Sequence, residues 1–402
     1  MGKRGTVSMR TAAAVVALAI AALVVGAMLV SGGSARASDP SGAVSADAAP
    51  VVSSTPSDVP TPQPSSIAVV RRAAGRDALW SVAPSDGAAL KLIDITFRPA
   101  RAELSPDRTR LALLPLTAGP RVHVYDFAAG TLKTLSLAGR GVRTISALTW
   151  RSNQRLIVSG SRSAPSAYAF DDRLYAVNVE TGRSSWFRQL YGTEPSIAGQ
   201  APRLVYVRLA DAGPDLTGPG DRLVSERLVS LRLAGGTAPR VVVRSRYPDG
   251  LDIRAFKDPR VSPDGRWVIT STTGSDVSAT YEVRAVGTGK SVLAKDTQVA
   301  GRDATAWNEQ SSRVAFWGIA ITAPQATRIF VYDVTADKLT AGQRYADRVA
   351  TGLSWAPDGS RLSYTLSAFG NAADVGRLWI VDPTAWASAQ VLGAGGLPAW
   401  LP

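Results

Sequence analysis

One short pattern recurs along the chain from residue 67 onward, and it constrains the fold more than any other feature. Three clear copies are LSPDRTRLALL (104–114), VSPDGRWVIT (261–270) and WAPDGSRLSYT (355–365), each with a bulky residue, a polar turn and an apolar run. With the weaker copies starting at 150, 197 and 307, and a last one ending at Trp400, the spacings are 46, 47, 64, 46, 48 and 45 residues. A period near 45 with short strands and turn residues is typical of β-propeller blades.

A second repeated element supports this interpretation. Between the turns lie seven hairpin segments of the type LYAVNVETG (174–182), with Gly, Asp or Asn near most tips, as tight antiparallel connections require. The strand IAVV (67–70) has no innermost strand before it, and LPAW (397–400) has no second strand after it. We therefore predict an all-β fold, a seven-bladed propeller over residues 67–402, closed by pairing of the C-terminal strand with the N-terminal blade.

The turn residues resemble those of the TolB-type propeller family, whose repeat carries the SPDG turn. The matching segments are Ser105-Pro106-Asp107, Ser262-Pro263-Asp264-Gly265 and Ala356-Pro357-Asp358-Gly359, and the resemblance extends over residues 67–402. It implies a WD-repeat-like propeller and a binding role. The chain departs from TolB because a signal and a linker, not an α/β domain, precede the propeller. It also lacks the G-x-S-x-G elbow of the hydrolases that carry related propellers.

The N-terminal region predicts export. Lys3, Arg4 and Arg10 precede 20 uncharged residues (11–30), so we assign residues 1–37 as a signal peptide or signal anchor with an apolar helix at 11–30. Two outcomes stay open: cleavage after Ala37, which releases the protein, or retention of the helix as a transmembrane anchor. Residues 38–66 are rich in Pro, Ser and Ala and predict a disordered linker.

Composition limits the chemistry. The chain has no cysteine and one histidine, His123, which excludes thiolate and multi-histidine metal centres. We expect neither a cofactor nor a metal. GTGKS (287–291) lacks the first glycine of a phosphate loop and forms a hairpin tip, while Asp211, Asp215 and Asp221 fit no defined calcium loop. The Trp residues of the repeat predict contacts between blades.

Outside the turns, arginine shows the more interesting pattern. The net charge is +13, and arginines recur in the connections that lead from one predicted blade to the next. Because these connections lie at one mouth of the central channel, their guanidinium groups favour an anionic ligand. The candidate ligand-binding residues are Arg98, Arg140, Arg143, Arg188, Arg246, Arg254, Arg302, Arg344 and Arg348.

Two functions follow from these observations. The first is an extracytoplasmic, membrane-tethered, monomeric propeller that binds an envelope protein or an anionic envelope polymer and catalyses nothing; nucleic acid is not an expected partner outside the cell. The alternative is a propeller enzyme, a lyase or hydrolase that acts on an envelope glycan with carboxylates alone. Two carboxylates close together at the channel would favour the enzyme, and a ring of arginines would favour binding.

Overall fold

The structure is a computed structural model that describes residues 62 and 65–402, apart from 74, 118, 163–171, 210–225, 236–237, 245–254, 274–278, 298–304, 321–325, 369–375 and 387–389. The predicted signal or anchor (1–37) and nearly all of the predicted linker (38–66) lie outside the described residues. Among the described residues, no helix has the length and apolarity needed to cross a membrane.

Seven four-stranded antiparallel sheets make up the fold, so the prediction of an all-β, seven-bladed propeller is confirmed. A 3-10 turn, Ala138–Arg140, lies between the strands β7 (Thr131–Ser136) and β8 (Thr144–Ser152). From the channel outward, the strands of each blade are as follows: blade 1, β28 (Gly396–Trp400), β1 (Ile67–Ala73), β2 (Arg76–Val82) and β3 (Ala89–Ile95); blade 2, β4 (Pro99–Leu104), β5 (Arg110–Pro115), β6 (Arg121–Asp126) and β7 (Thr131–Ser136); blade 3, β8 (Thr144–Ser152), β9 (Arg155–Ser161), β10 (Arg173–Asn178) and β11 (Ser184–Tyr191); blade 4, β12 (Thr193–Ile197), β13 (Arg203–Leu209), β14 (Glu226–Arg232) and β15 (Arg240–Arg244); blade 5, β16 (Ala255–Val261), β17 (Trp267–Thr273), β18 (Ala279–Ala285) and β19 (Ser291–Thr297); blade 6, β20 (Thr305–Trp307), β21 (Arg313–Ala320), β22 (Ala326–Asp333) and β23 (Lys338–Ala346); blade 7, β24 (Arg348–Trp355), β25 (Leu362–Ala368), β26 (Arg377–Val381) and β27 (Gln390–Ala394).

Blade 1 contains strands from both ends of the described chain. Strand β28 pairs with β1 in antiparallel register, with Trp400 opposite Ile67 and Ala399 opposite Ala68. Two further backbone hydrogen bonds, from Leu401 N–H to the Ser66 carbonyl and from Ser65 N–H to the Pro402 carbonyl, extend the pairing.

The repeated turn has a defined conformation. In the full copies Gly265 and Gly359 have left-handed backbone angles, φ of +73° and +71°, which glycine adopts without strain. Ser105 and Ser262 donate their hydroxyls to the Asp carboxylates two residues later, at 2.6 and 2.5 Å. These bonds fix the turn between the first and second strands of a blade. We call the side of the disc that carries these turns and the hairpin tips the turn face, and the opposite side the loop face.

The core lies between the blades. Strand β5 buries Leu111 through Leu114 without alternation because both faces of a blade pack on neighbouring blades. One apolar cluster joins Val124 and Leu135 of blade 2 to Leu148 and Tyr175 of blade 3, and comparable clusters join other adjacent blades.

The tryptophans of the repeat contact neighbouring blades, as the sequence predicted. The indole N–H of Trp150 donates to the Glu103 carbonyl at 2.8 Å, and that of Trp307 donates to the Arg260 carbonyl at 2.8 Å. Trp355 repeats the contact with Ala306 at 3.0 Å. Each bond links the innermost strands of adjacent blades, so these residues stabilise the ring.

Replacing Trp150 with Phe tests this contact. We expect Trp150→Phe to cost about 1 kcal/mol more stability than Trp400→Phe in chemical denaturation, because it leaves the Glu103 carbonyl without its donor. Trp400 is the matched control, since its ring is buried but its indole nitrogen has no hydrogen-bond partner among the described residues. Equal losses would show that the hydrogen bond contributes nothing.

Candidate functional site: the central channel and the loop face

The innermost strands line the channel in two tiers. The upper tier consists of the residue that directly precedes the bulky residue of the repeat in each innermost strand. All seven of its members line one cavity: Glu103, Thr149, Ser196, Arg260, Ala306, Ser354 and Ala399. The lower tier lies two residues earlier and includes Arg101, Ala147, Glu194, Asp258, Gly352 and Leu397. Position along the repeat therefore determines which side chains meet at the centre of the disc.

Charged side chains of blades 2 and 5 pair across the channel. In the upper tier, Arg260 Nη1 lies 3.1 Å from Glu103 Oε2. In the lower tier, Arg101 Nη2 lies 3.1 Å from Asp258 Oδ1, and Arg260 Nε reaches the same oxygen at 3.3 Å. Arg101 and Asp258 are only 8% and 5% exposed. Because blades 2 and 5 are not neighbours, the Glu103–Arg260 and Arg101–Asp258 pairs span the channel.

A third ion pair spans the channel at the turn face. Arg108 Nη2 of blade 2 lies 2.5 Å from Glu309 Oε1 of blade 6, and Gln200 of blade 4 donates to the Glu309 carbonyl at 3.0 Å. The cavity that the upper tier lines has a volume of about 520 Å³, and Arg108, Gln200 and Glu309 also line it. Its walls include Trp307 and Trp355 as well as polar groups, so it combines apolar surface with charge.

Two carboxylates approach each other in the lower tier. The backbone N–H of Asp258 donates to Glu194 Oε2, and both residues have left-handed backbone angles, φ of +45° and +50°, at bulges in their strands. Burial, and then the nearby Asp258 carboxylate, raise the pKa of Glu194, while Lys257 and Arg101 act in the opposite direction. Asp258 itself is held by two arginines.

The raised pKa of Glu194 predicts a pH-dependent gain from Glu194→Gln. The folded state binds the Glu194 proton more tightly than the unfolded state does, so stability falls as pH rises from the ordinary glutamate pKa through the raised one. Glutamine keeps an acceptor for the Asp258 N–H and carries no charge. We expect Glu194→Gln to melt at a higher temperature than the wild type at neutral pH and at the same temperature at pH values below the ordinary glutamate pKa. A gain that is equal at all pH values would contradict this account.

The structure places five of the nine predicted arginines at the loop face. Arg98 directly precedes β4, Arg140 ends the 3-10 turn, Arg143 precedes β8, Arg344 lies near the end of β23, and Arg348 opens β24. All are exposed except Arg98, which is half-buried. None of Arg98, Arg140, Arg143 and Arg348 forms an ion pair with a carboxylate of the described residues. Arg246, Arg254 and Arg302 lie outside the described residues.

Arg188 lies inside strand β11, not in the connection where the sequence located it. Its guanidinium donates to the carbonyls of Leu233 and Arg232, at 2.7 and 3.4 Å, at the turn-face end of blade 4. The residue therefore links blades 3 and 4, and its side chain does not join the loop-face arginines.

The remaining residues that the sequence singled out are His123, the GTGKS segment and three aspartates. His123 stacks on Phe97 with ring centroids 3.8 Å apart, and its Nδ1 lies 3.0 Å from Thr134 Oγ1. Burial, together with Arg121, lowers the His123 pKa. GTGKS forms the hairpin tip between β18 and β19, as predicted. Asp211, Asp215 and Asp221 lie outside the described residues, and within the described ranges no three His, Asp or Glu residues group as metal ligands.

Sequence reasoning did not identify the channel residues Glu103, Arg260, Arg101, Asp258 and Glu194. A signal was present, because alignment of the repeats places charged residues at two equivalent positions of blades 2 and 5 with their signs exchanged. The pairing itself depends on the closed ring, which brings residues 157 positions apart into contact.

No protein-family model and no curated protein sequence matches this chain. Solved structures do resemble it. An oligogalacturonate lyase of Vibrio parahaemolyticus matches with 10% identity and a TM-score of 0.54 over 76% of this chain and 85% of the other. An uncharacterised protein of Listeria monocytogenes matches with 11% identity and a TM-score of 0.50 over 83% and 92%.

TolB of Acinetobacter baumannii matches with 11% identity and a TM-score of 0.43 over 84% of this chain and 82% of the other. At identities this low, the similarities concern the fold alone.

Proposed function

We propose that the protein is a non-catalytic binding module of the TolB-like propeller type, which recognises an anionic envelope polymer or the acidic surface of an envelope protein through its loop face. The observation that supports this most directly is that four of the loop-face arginines form no ion pair with a carboxylate of the described residues: Arg98, Arg140, Arg143 and Arg348. Arg140 and Arg143 lie on either side of Gly141, and the Arg162 guanidinium approaches that glycine. Three cations in one connection and its neighbouring loop favour a ligand with several negative charges.

Charge removal at the loop face tests the proposal. We expect the variant Arg140→Ala/Arg143→Ala/Arg348→Ala to bind poly(glycerol phosphate) and polyglutamate about tenfold more weakly at low salt, since three exposed ion pairs contribute about 0.5 kcal/mol each. The control variant Arg183→Ala/Arg266→Ala/Lys338→Ala removes the same charge from exposed residues at the turn face. Equal binding by the wild type and both variants, or an equal loss in both variants, would refute a loop-face site.

The same proposal includes the location of the protein, outside the cytoplasm and tethered by its N-terminal helix. Crosslinking in intact envelopes followed by N-terminal sequencing tests it. A recovered chain that starts at residue 1 or 2 supports the anchor. A chain that starts at Ser38 means release after cleavage and contradicts the tether.

A second candidate function rests on Glu194 and Asp258. Glycosidases divide the roles of acid and base between two neighbouring carboxyl groups, and here the Glu194 carboxyl with its raised pKa lies beside the Asp258 carboxyl, which two arginines hold. If the protein cleaves an envelope glycan, Glu194→Gln should abolish release of new sugar ends while binding persists. Absence of release by the wild-type protein would leave binding as the function.

A further inference from the structure

In several blades the second strand begins with an arginine, at the turn-face end of the blade. In blade 2 this arginine is Arg110, and carboxylates of the protein neutralise its charge. Arg110 pairs in register with Asp126 of its own blade. Its Nε lies 3.0 Å from Asp126 Oδ2 and its Nη2 lies 2.5 Å from Glu180 Oε1, at the hairpin tip of blade 3. Lys133 donates to the Glu180 carbonyl. The Arg110 guanidinium thus meets two carboxylates, and Lys133 lies beside the same hairpin tip.

Blade 4 has the same arginine without the carboxylates. Arg203 occupies the Arg110 position, and the residue in register with it is Arg232 where blade 2 has Asp126. Arg240 occupies the position in blade 4 that Lys133 occupies in blade 2. The hairpin tip of blade 5, which has the same hydrogen-bond pattern as that of blade 3, carries Gly287 in place of Glu180.

The three arginines of blade 4 converge on one side of the sheet. Arg203 and Arg232 are directly opposite on neighbouring strands, and Arg203 Nη1 donates to Ser230 Oγ at 3.0 Å. Ser230 is in turn opposite Arg240. Residues opposite one another in an antiparallel pair project to the same face, so Arg203, Arg232 and Arg240 form a cluster that we call the blade 4 arginine cluster.

This cluster lies at the boundary with blade 5 and is open to solvent. Arg203 Nε lies close to Gly265 in the turn of blade 5, and a side chain at Gly287 would meet no atom within 4 Å. Arg232 and Arg240 are exposed, while Arg203 is half-buried. Among nearby acids, Asp264 is used within its own turn, where it accepts from Ser262 and from the Arg266 N–H.

Three guanidinium groups side by side repel one another, and like charges directly opposite on neighbouring strands destabilise a sheet. Burial, then Arg232 and Arg240, lower the pKa of Arg203, which reflects the same repulsion. An anion between them removes this cost. In blade 2 the protein supplies that negative charge through Asp126 and Glu180.

We propose that the blade 4 arginine cluster binds a small oxyanion with two or more negative charges, of the phosphate monoester or pyrophosphate class, which takes the place of the two carboxylates present in blade 2. This site is at the turn face and is independent of the loop-face binding proposed above.

The test uses the full-length protein and pyrophosphate as the probe. At constant ionic strength, we expect pyrophosphate to raise the melting temperature of the wild type saturably, because a ligand that binds the folded state stabilises it. Arg232→Asp restores the Asp126 arrangement of blade 2. It should melt at a higher temperature than the wild type without the anion and bind pyrophosphate at least about tenfold more weakly.

Two further variants keep the result interpretable. Arg240→Gln changes an exposed residue and should weaken pyrophosphate binding severalfold even if Arg232→Asp fails to fold. The loop-face variant Arg140→Ala/Arg143→Ala/Arg348→Ala should keep the full pyrophosphate response, which separates this site from the loop face. The proposal is overturned if pyrophosphate stabilises the wild type no more than sodium chloride of equal ionic strength. It is also overturned if Arg240→Gln binds pyrophosphate as the wild type does.

Discussion

A chain that ends at residue 395 should not fold to a stable propeller. Removal of residues 396–402 deletes β28, which supplies the innermost strand of blade 1 and buries Ala399, Trp400 and Leu401. Loss of a buried tryptophan alone costs about 3–5 kcal/mol. The deletion also exposes the edge of β1, and a domain has only about 5–15 kcal/mol of stability in total. Circular dichroism and size exclusion should show a partly folded or aggregated product.

Trp400→Ala is the graded control for this truncation. It keeps the backbone pairing of β28 with β1 and removes only the side chain, so it should remain folded with a stability lower by about 3–5 kcal/mol. A truncated chain that melts close to the full-length protein would show that the pairing of β28 with β1 does not hold the ring together.

Asp258→Ala should produce the second large effect, a loss of about 3–5 kcal/mol in the free energy of unfolding. This carboxylate accepts from Arg101 and Arg260 in the centre of the channel, and removal of one member of a buried ion pair leaves charge buried without its partner. Urea denaturation measures the loss.

The control is Asp94→Ala. Asp94 pairs with Lys91 at 2.7 Å, but both side chains are well exposed, at 59% and 46%. Exposed pairs contribute about 0–1 kcal/mol, so this variant should be nearly neutral. If both substitutions cost the same, the ion pairs across the channel contribute no more than an ordinary surface pair does.

The repeat made the fold predictable from sequence. The number of blades, the turns at 105–108, 262–265 and 356–359, and the hairpins between them follow from local residue types, because turn chemistry and strand alternation act over a few positions. Strand β1 begins at Ile67 and β28 ends at Trp400, as the segments IAVV and LPAW indicated.

The channel could not be predicted in the same way. Contacts between Glu103 and Arg260, or between Arg101 and Asp258, depend on how seven blades close around an axis, and sequence spacing carries no measure of distance across that axis. Arg188 illustrates a second limit. Left-handed angles at Arg188 and Gln189 place an irregularity inside β11, so the strand continues to Tyr191 where the pattern indicated a connection.

The pairing of β28 with β1 also sets the order in which the molecule can be completed during synthesis. Blades 2 to 7 are each continuous in sequence, so each can form as soon as its residues have left the ribosome. Blade 1 must wait for β28, so β1 stays unpaired on one side while blades 2 to 7 are synthesised. The growing chain therefore presents an open strand edge until β28 has been synthesised, and a delay before that point would increase its exposure to wrong pairing or to a chaperone.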